Sequence, residues 1–177
     1  MRIGGALALS GMERGRLTTL LTRQQVPFAV SSSGSGIKHR QFTVSEALSL
    51  RLMVMVGADR DFSGLGPSDS ARLIANALGK AREKYGAGIE AVITNPSVWI
   101  GGMEFRGETR CGEVETWFEW FAGPLHSIET WCGNCLEPWN ETYRRASPVR
   151  ILALVNLTAA AEYVIERAQD MEIPINE

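Results

Sequence analysis

The most informative stretch of the sequence is Arg40-Gln41-Phe42-Thr43-Val44-Ser45-Glu46-Ala47. A basic residue leads through a β-prone triplet into a helix that Thr43 or Ser45 can cap. The apolar residues of that helix continue to about position 56 and cover more than one face, so we expect it to be buried on several sides. A Gly/Ser-rich stretch at 31–36 and the basic run Lys38-His39-Arg40 come before it, and together they predict a loop with a cationic end.

Two short helices are predicted upstream of this loop. The first covers residues 2–10 and ends in a turn at Gly11, and the second covers residues 13–25 and is stopped by Pro27. Leu17, Leu20 and Leu21 form the buried stripe of the second helix. Its outer side and N-terminal flank then carry small polar and basic side chains: Arg14, Arg16, Thr18, Thr19, Thr22 and Arg23.

This combination suits contact with double-stranded DNA. Arginine can bind guanine with two hydrogen bonds, and threonine offers a hydroxyl and a methyl group to base edges. The loop ending in Lys38, His39 and Arg40 suits contacts to phosphate or to the minor groove. The charge distribution also places DNA binding in this half of the chain. Residues 1–84 carry 12 Lys/Arg and 6 Asp/Glu, whereas residues 85–177 carry 6 Lys/Arg and 14 Asp/Glu.

The N-terminal third resembles the MerR family and the related excisionase-like modules. These open with an I-x-x-A-x-x-x-G pattern, and R-x-[YF]-[ST]-x-x-[DE]-[AV] later leads into an apolar helix. Ile3 and Ala6 follow the first pattern, with Gly11 one residue beyond the glycine position, and residues 40–47 follow the second. The resemblance covers residues 2–56. It implies a winged helix-turn-helix whose second helix reads DNA and whose wing is the loop at 31–40.

The remainder of the chain predicts an α+β fold. A helix at 67–85 is followed by a strand at 89–94, a hairpin turning at Gly101-Gly102, a short amphipathic helix at 114–121, a strand at 151–155, and a final helix capped by Asn156 or Thr158. We therefore expect a winged helix-turn-helix at 1–57, a connecting helix at 58–85, and a smaller α+β domain at 86–177. This last domain would supply dimerisation or the sensing of an effector.

Three cysteines and one histidine raise the question of a metal site. Cys132 and Cys135 have C-x-x-C spacing, and Cys111 and His126 are further candidate ligands for zinc. The same spacing also occurs in redox-active thiol pairs, whose pKa is depressed. Plain packing is the third interpretation, since cysteine is often a small buried residue, and it is the one adopted here, with no metal or cofactor predicted.

All five tryptophans fall in one segment of the acidic half: Trp99, Trp117, Trp120, Trp131 and Trp139. Such a cluster can form a core or a dimer interface. It can also line a pocket for an apolar or cationic small-molecule effector, with Glu113, Glu115 or Glu119 balancing a cation. The sequence leaves both interpretations open.

Several classes of function lack their motifs. No G-x-S-x-G elbow, phosphate-binding loop or H-E-x-x-H is present, so we expect no enzyme. No apolar run approaches the roughly 20 residues that span a bilayer, and no export signal is evident, so we expect a cytoplasmic protein without disulfides. The sequence therefore predicts a homodimeric, sequence-specific transcriptional regulator. The alternatives are an architectural DNA-binding factor of the excisionase or phage DNA-packaging type, and a protein-interaction or small-molecule-binding module without DNA function.

Overall fold

The computed structural model describes residues 1–30, 40–57, 65–86, 88–93 and 97–175. Within these ranges the chain forms seven α-helices and a three-stranded antiparallel sheet, which confirms the predicted α+β class. Lys38, His39 and the rest of the predicted wing at 31–39 lie outside the described residues. In the described part of the chain, no helix combines the length and apolar character needed to cross a membrane.

Three helices form the N-terminal part of the fold. Helix α1 (Ile3–Ser10) ends at Gly11, whose φ of 71° lets its amide donate to the Leu7 carbonyl. Helix α2 (Arg14–Thr22) buries Leu17, Leu20 and Leu21 as predicted. Helix α3 (Val44–Met55) begins with a capping box in which Thr43 accepts from the Glu46 amide and Glu46 accepts from the Thr43 amide. The predicted Thr43 cap is thus confirmed.

Two further helices lead to the sheet. Helix α4 (Pro67–Tyr85) starts with proline at its first position and ends at Gly86. The predicted strand at 89–94 is wrong, because Ile89–Ile93 forms the short helix α5. An apolar run this short has no periodicity that separates a strand from a buried helical turn. Its buried residues, Ile89 and Val92, lie at the i, i+3 spacing of a helix.

The sheet has the order β2-β1-β3, with β1 (Val98–Thr109) between β2 (Val114–Pro124) and β3 (Tyr143–Asn156). The predicted hairpin turn at Gly101-Gly102 is wrong, since both glycines lie inside β1. A Cβ at Gly101 would overlap the Ala153 carbonyl oxygen, and one at Gly102 would be 2.7 Å from the Trp120 ring. The glycines therefore allow close approach within the sheet instead of reversing the chain.

The predicted amphipathic helix at 114–121 is also wrong, because this segment is part of β2. Its valine, threonine, tryptophan and phenylalanine side chains favour strands, and its apolar positions happen to match a helical spacing as well. Helix α6 (Ile128–Leu136) had not been predicted. It lies in the connection between β2 and β3, flanked by single 3₁₀ turns at Leu125–Ser127 and Glu137–Trp139.

The chain ends in helix α7 (Leu157–Asp170), which Asn156 caps by accepting from the Ala159 amide at 3.0 Å, as predicted. Strand β3 includes the predicted strand at 151–155 but is longer. Buried side chains of α1–α4, of β1 and of α7 belong to one hydrophobic cluster, for example Leu17, Leu50, Leu73, Ile100 and Leu157. The domain boundaries predicted near residues 57 and 85 thus fall between elements that share buried contacts.

Candidate nucleic-acid interface

Helix α2 presents a polar row to the surface. Arg14, Thr18 and Thr22 are exposed and follow one another at intervals of four residues, so they lie along one side of the helix. Arg23, also exposed, occupies the C-terminal cap, while Arg16 and Thr19 are half-buried. The leucine stripe on the opposite side is buried and fixes the orientation of this row.

The three threonines of α2 share one hydrogen-bond arrangement. Each hydroxyl donates to the backbone carbonyl four residues earlier: Thr18 to Arg14 at 2.9 Å, Thr19 to Gly15 at 3.0 Å, and Thr22 to Thr18 at 2.9 Å. Donation to the backbone uses the hydroxyl hydrogen, and the oxygen keeps acceptor capacity. At Thr18 and Thr22 the exposed surface can therefore accept hydrogen bonds and offer methyl contacts.

Arg40 has a different environment from the cations of α2. Its guanidinium donates to Glu46 at 2.6 Å and to the Ala29 carbonyl at 3.0 Å, and only 14% of its side chain is exposed. It also lies 5.2 Å from the centre of the Phe28 ring and 5.3 Å from that of Phe42. These contacts tie together the two chain ends that flank residues 31–39. Arg40 thus has a positioning role within the fold.

Backbone hydrogen bonds also hold the junction between Arg40 and the start of α3. Met1 and Phe42 exchange two hydrogen bonds, from the Met1 nitrogen to the Phe42 carbonyl at 2.6 Å and from the Phe42 amide to the Met1 carbonyl at 2.8 Å. The chain entering α3 is thereby held beside the chain entering α1. Sequence reasoning missed the internal contacts of Arg40. The T-x-x-E spacing of Thr43 and Glu46 could have indicated that a carboxylate lies at this junction.

The tryptophans pack mainly against other aromatic rings of the sheet. Trp117 stacks on Phe105 at 5.7 Å and on Tyr143 at 5.2 Å, and Trp139 lies 5.5 Å from Trp117. Trp131 of α6 contacts Phe105 and covers the same face. Tyr143 reaches across β1 because Gly107 has no side chain, and its hydroxyl donates to Glu115, which raises the pKa of Tyr143. For Trp117, Trp131 and Trp139 the structure favours the packing interpretation.

The cysteines do not form a ligand set. Among the described residues, no three His, Cys, Asp or Glu side chains are placed to hold a metal ion, and this covers Cys111, His126, Cys132 and Cys135. Burial raises the pKa of Cys132, with Glu129 adding to the effect. Burial is also the largest cause that raises the pKa of Cys135 to about 11. A redox-active pair requires a depressed pKa at one thiol, so these directions do not favour the redox interpretation.

A cleft opens beside the edge strand β2, between α4 and α6. Its volume is about 320 Å³, and its lining residues are Lys80, Glu83, Lys84, Trp120, Ala122 and Trp131. Lys80 donates to Glu83 at 2.9 Å, which raises the pKa of Lys80. Burial raises the pKa of Glu119, while the charge of Lys80 opposes that shift. Both signs of charge are therefore present at this edge of the sheet.

The chain matches no known protein-family model, and its sequence has no significant match among curated proteins.

Proposed function

We propose that the protein binds double-stranded DNA through α2 and acts as a sequence-specific transcriptional regulator. The observation that carries this proposal is the exposed row of Arg14, Thr18 and Thr22 on α2, with Arg23 at its end. Such side chains contact phosphates and base edges when a helix lies in the major groove. The basic wing predicted at 31–40 would contact the backbone beside it.

The packing of α2 supports this role. A recognition helix must hold its side chains in a fixed orientation, and helices do so better than loops. Leu17 and Leu20 are fully buried, and the turn at Gly11 fixes where α2 begins. The exposed polar side chains of α2 therefore project from a helix that is anchored in the hydrophobic core.

The direct test is DNA binding by single variants, measured as fluorescence anisotropy over a series of salt concentrations. We expect Arg14→Ala and Arg16→Ala to weaken binding, and loss of a bidentate base contact would cost about 1–3 kcal/mol. Loss of a phosphate contact would instead reduce, by about one, the slope of the logarithm of the binding constant against the logarithm of the salt concentration. Arg144→Ala, at an exposed arginine of β3, is the matched control and should leave both quantities unchanged.

Base readout and positioning can be separated. Arg14→Ala is expected to change the preferred sequence, because the exposed row of α2 would read bases, whereas Arg40→Ala is expected to weaken binding without changing that preference. Selection of bound fragments from genomic DNA gives the preferred sequences of each variant. Promoter-proximal palindromes would support regulation. Unaltered affinity, salt slope and preference in both variants would contradict this placement of the interface.

A further inference from the structure

The two edges of the sheet differ in how well they are protected against pairing. Along β3 the register with β1 is broken three times, leaving Arg144, Val149 and Leu152 as extra residues, and Pro148 lies between two of these breaks. Bulges, proline and charge are the usual devices that keep an edge strand from adding another strand. Strand β2 pairs with β1 in unbroken register from Val114 to Pro124 and has no proline before its last residue. The β3 edge is therefore blunted, which means that it is protected against strand addition. The β2 edge lacks these devices and is called the open edge.

The open edge exposes apolar side chains. Val114 is 51% exposed and Phe118 is 39% exposed, and both belong to the part of β2 that precedes the cleft. An edge strand that is long, regular and partly apolar is a template for strand addition. Such an edge gains stability when a second strand supplies its missing backbone hydrogen bonds.

The open edge also carries opposite charges at its two ends. Glu113 and Glu115 lie at its start. At its end the Lys84 ammonium donates to the Ala122 carbonyl at 3.4 Å and lies 3.3 Å from the point that a Cβ at Gly123 would occupy. The edge therefore runs from acidic to basic, which is the pattern that an antiparallel copy of the same edge complements.

We propose that β2 pairs with β2 of a second copy of this chain, antiparallel and about a two-fold axis near Phe118. In that register Phe118 lies opposite its own symmetry mate, and Glu113 of each copy lies opposite Gly123 of the other, beside Lys84. Glu115 lies opposite Phe121 and Glu119 opposite Trp117, so no carboxylate faces a carboxylate. An isologous interface requires this kind of self-complementarity.

The pairing would join two three-stranded sheets into one and leave only the blunted β3 edges free. It does not depend on DNA binding, although it would supply the two-fold arrangement that a palindromic site requires. A partner other than a second copy would need both the acidic and the basic end to be matched by a different sequence.

The test is the oligomeric state of the full chain, measured without DNA by sedimentation velocity over a wide concentration range. Wild-type protein should be dimeric, and the double variant Val114→Lys/Thr116→Lys should be monomeric. The matched control is Ser147→Lys/Val149→Lys on the β3 edge, where Val149 is 52% exposed and Ser147 is exposed, as Thr116 is on β2. This control should remain dimeric.

Charge reversal tests the register. Glu113→Lys alone and Lys84→Glu alone should each raise the dimer dissociation constant several-fold, and the combination should return it toward the wild-type value. A wild-type protein that stays monomeric at every concentration would overturn the proposal. Equal disruption by the β2 and β3 variants, or no recovery in the combined charge variant, would also overturn it. Because no DNA is present, these outcomes are independent of the function proposed above.

Discussion

Arg40 illustrates how one side chain can join two parts of the chain that are separated in sequence. Its cation lies near two phenylalanine rings, and its hydrogen bonds reach a carboxylate and a backbone carbonyl on opposite sides of residues 31–39. Arginine suits this position because its planar guanidinium can stack on rings while it donates in several directions. A direct contact between Arg40 and DNA would have to compete with these internal contacts.

Arg40→Ala should lower the free energy of unfolding by about 1–3 kcal/mol, because it removes the contacts to both rings and leaves the mostly buried Glu46 without its cationic partner. Urea denaturation measures this change. Glu46→Gln is the informative companion, since it replaces the ion pair by a neutral hydrogen bond and keeps the arginine. If Arg40 acts on DNA only by positioning the loop, both variants should lose affinity. A loss confined to Arg40→Ala would instead indicate direct contact.

The thiols of α6 should react slowly in the folded protein. With a pKa of about 11, Cys135 is thiolate in roughly one molecule in ten thousand near neutral pH. Cys111 is exposed. We expect iodoacetamide to modify Cys111 first, and to modify Cys132 and Cys135 readily only in urea, as measured by peptide mass spectrometry. Equal rates at all three cysteines in the native protein would contradict the raised pKa values of Cys132 and Cys135.

At the scale of elements, β1 is the part of the molecule on which the sheet depends. It pairs with both neighbours, and its two adjacent glycines let β3 and the Trp120 ring approach its backbone closely. The approach at Gly101 involves a backbone carbonyl, which cannot move aside as a flexible side chain can. The absence of side chains at these positions is thus a packing requirement of the strand.

Gly101→Ala should destabilise the fold by at least about 2 kcal/mol, because the new methyl group overlaps the Ala153 carbonyl oxygen. Gly79→Ala in α4 is the matched control. A Cβ at that position meets nothing within 4 Å, and alanine favours a helix interior over glycine by about 0.8–1 kcal/mol. Thermal unfolding of both variants should therefore shift in opposite directions. A tolerated alanine at Gly101 would mean that β1 and β3 are further apart than described.

At the scale of the whole molecule, helix α7 connects the N-terminal helices to the sheet. Leu157, Ala161 and Val164 are fully buried in the cluster that also contains side chains of α1, α3 and β1. The guanidinium of Arg51 in α3 lies 3.7 Å from the centre of the Tyr163 ring in α7. Shared burial of this kind predicts that the two halves of the chain unfold together.

Leu157→Ala should cost about 2–5 kcal/mol and should shift two probes equally. Tryptophan fluorescence reports on the sheet and α6, because all five tryptophans lie between residues 99 and 139, whereas far-UV circular dichroism reports mainly on the helices. If the two probes give the same transition in the wild-type protein and in Leu157→Ala, the chain unfolds as one cooperative unit. Separate transitions would instead support independent domains divided near residues 57 and 85.

Local sequence signals are sufficient to predict the helices that carry their own start and stop residues. The leucine stripe of α2, the turn at Gly11, the Thr43 cap of α3 and the Asn156 cap of α7 are local features, and each was predicted correctly. The outward position of Arg14, Thr18 and Thr22 followed from the same periodicity. Local hydrogen bonds and a 3.6-residue repeat are sufficient to specify such elements, because their partners are close in sequence.

Contacts between distant parts of the chain specify the conformations of residues 89–93, 101–102 and 114–121, and the environment of Arg40. A short apolar segment satisfies helical and extended patterns equally well, and what selects between them is a strand or helix distant in the chain. For β2 that partner is β1, and for Gly101 it is the backbone of β3, more than fifty residues further along the chain. These contacts are absent from any local window of sequence, because folding alone brings their partners together.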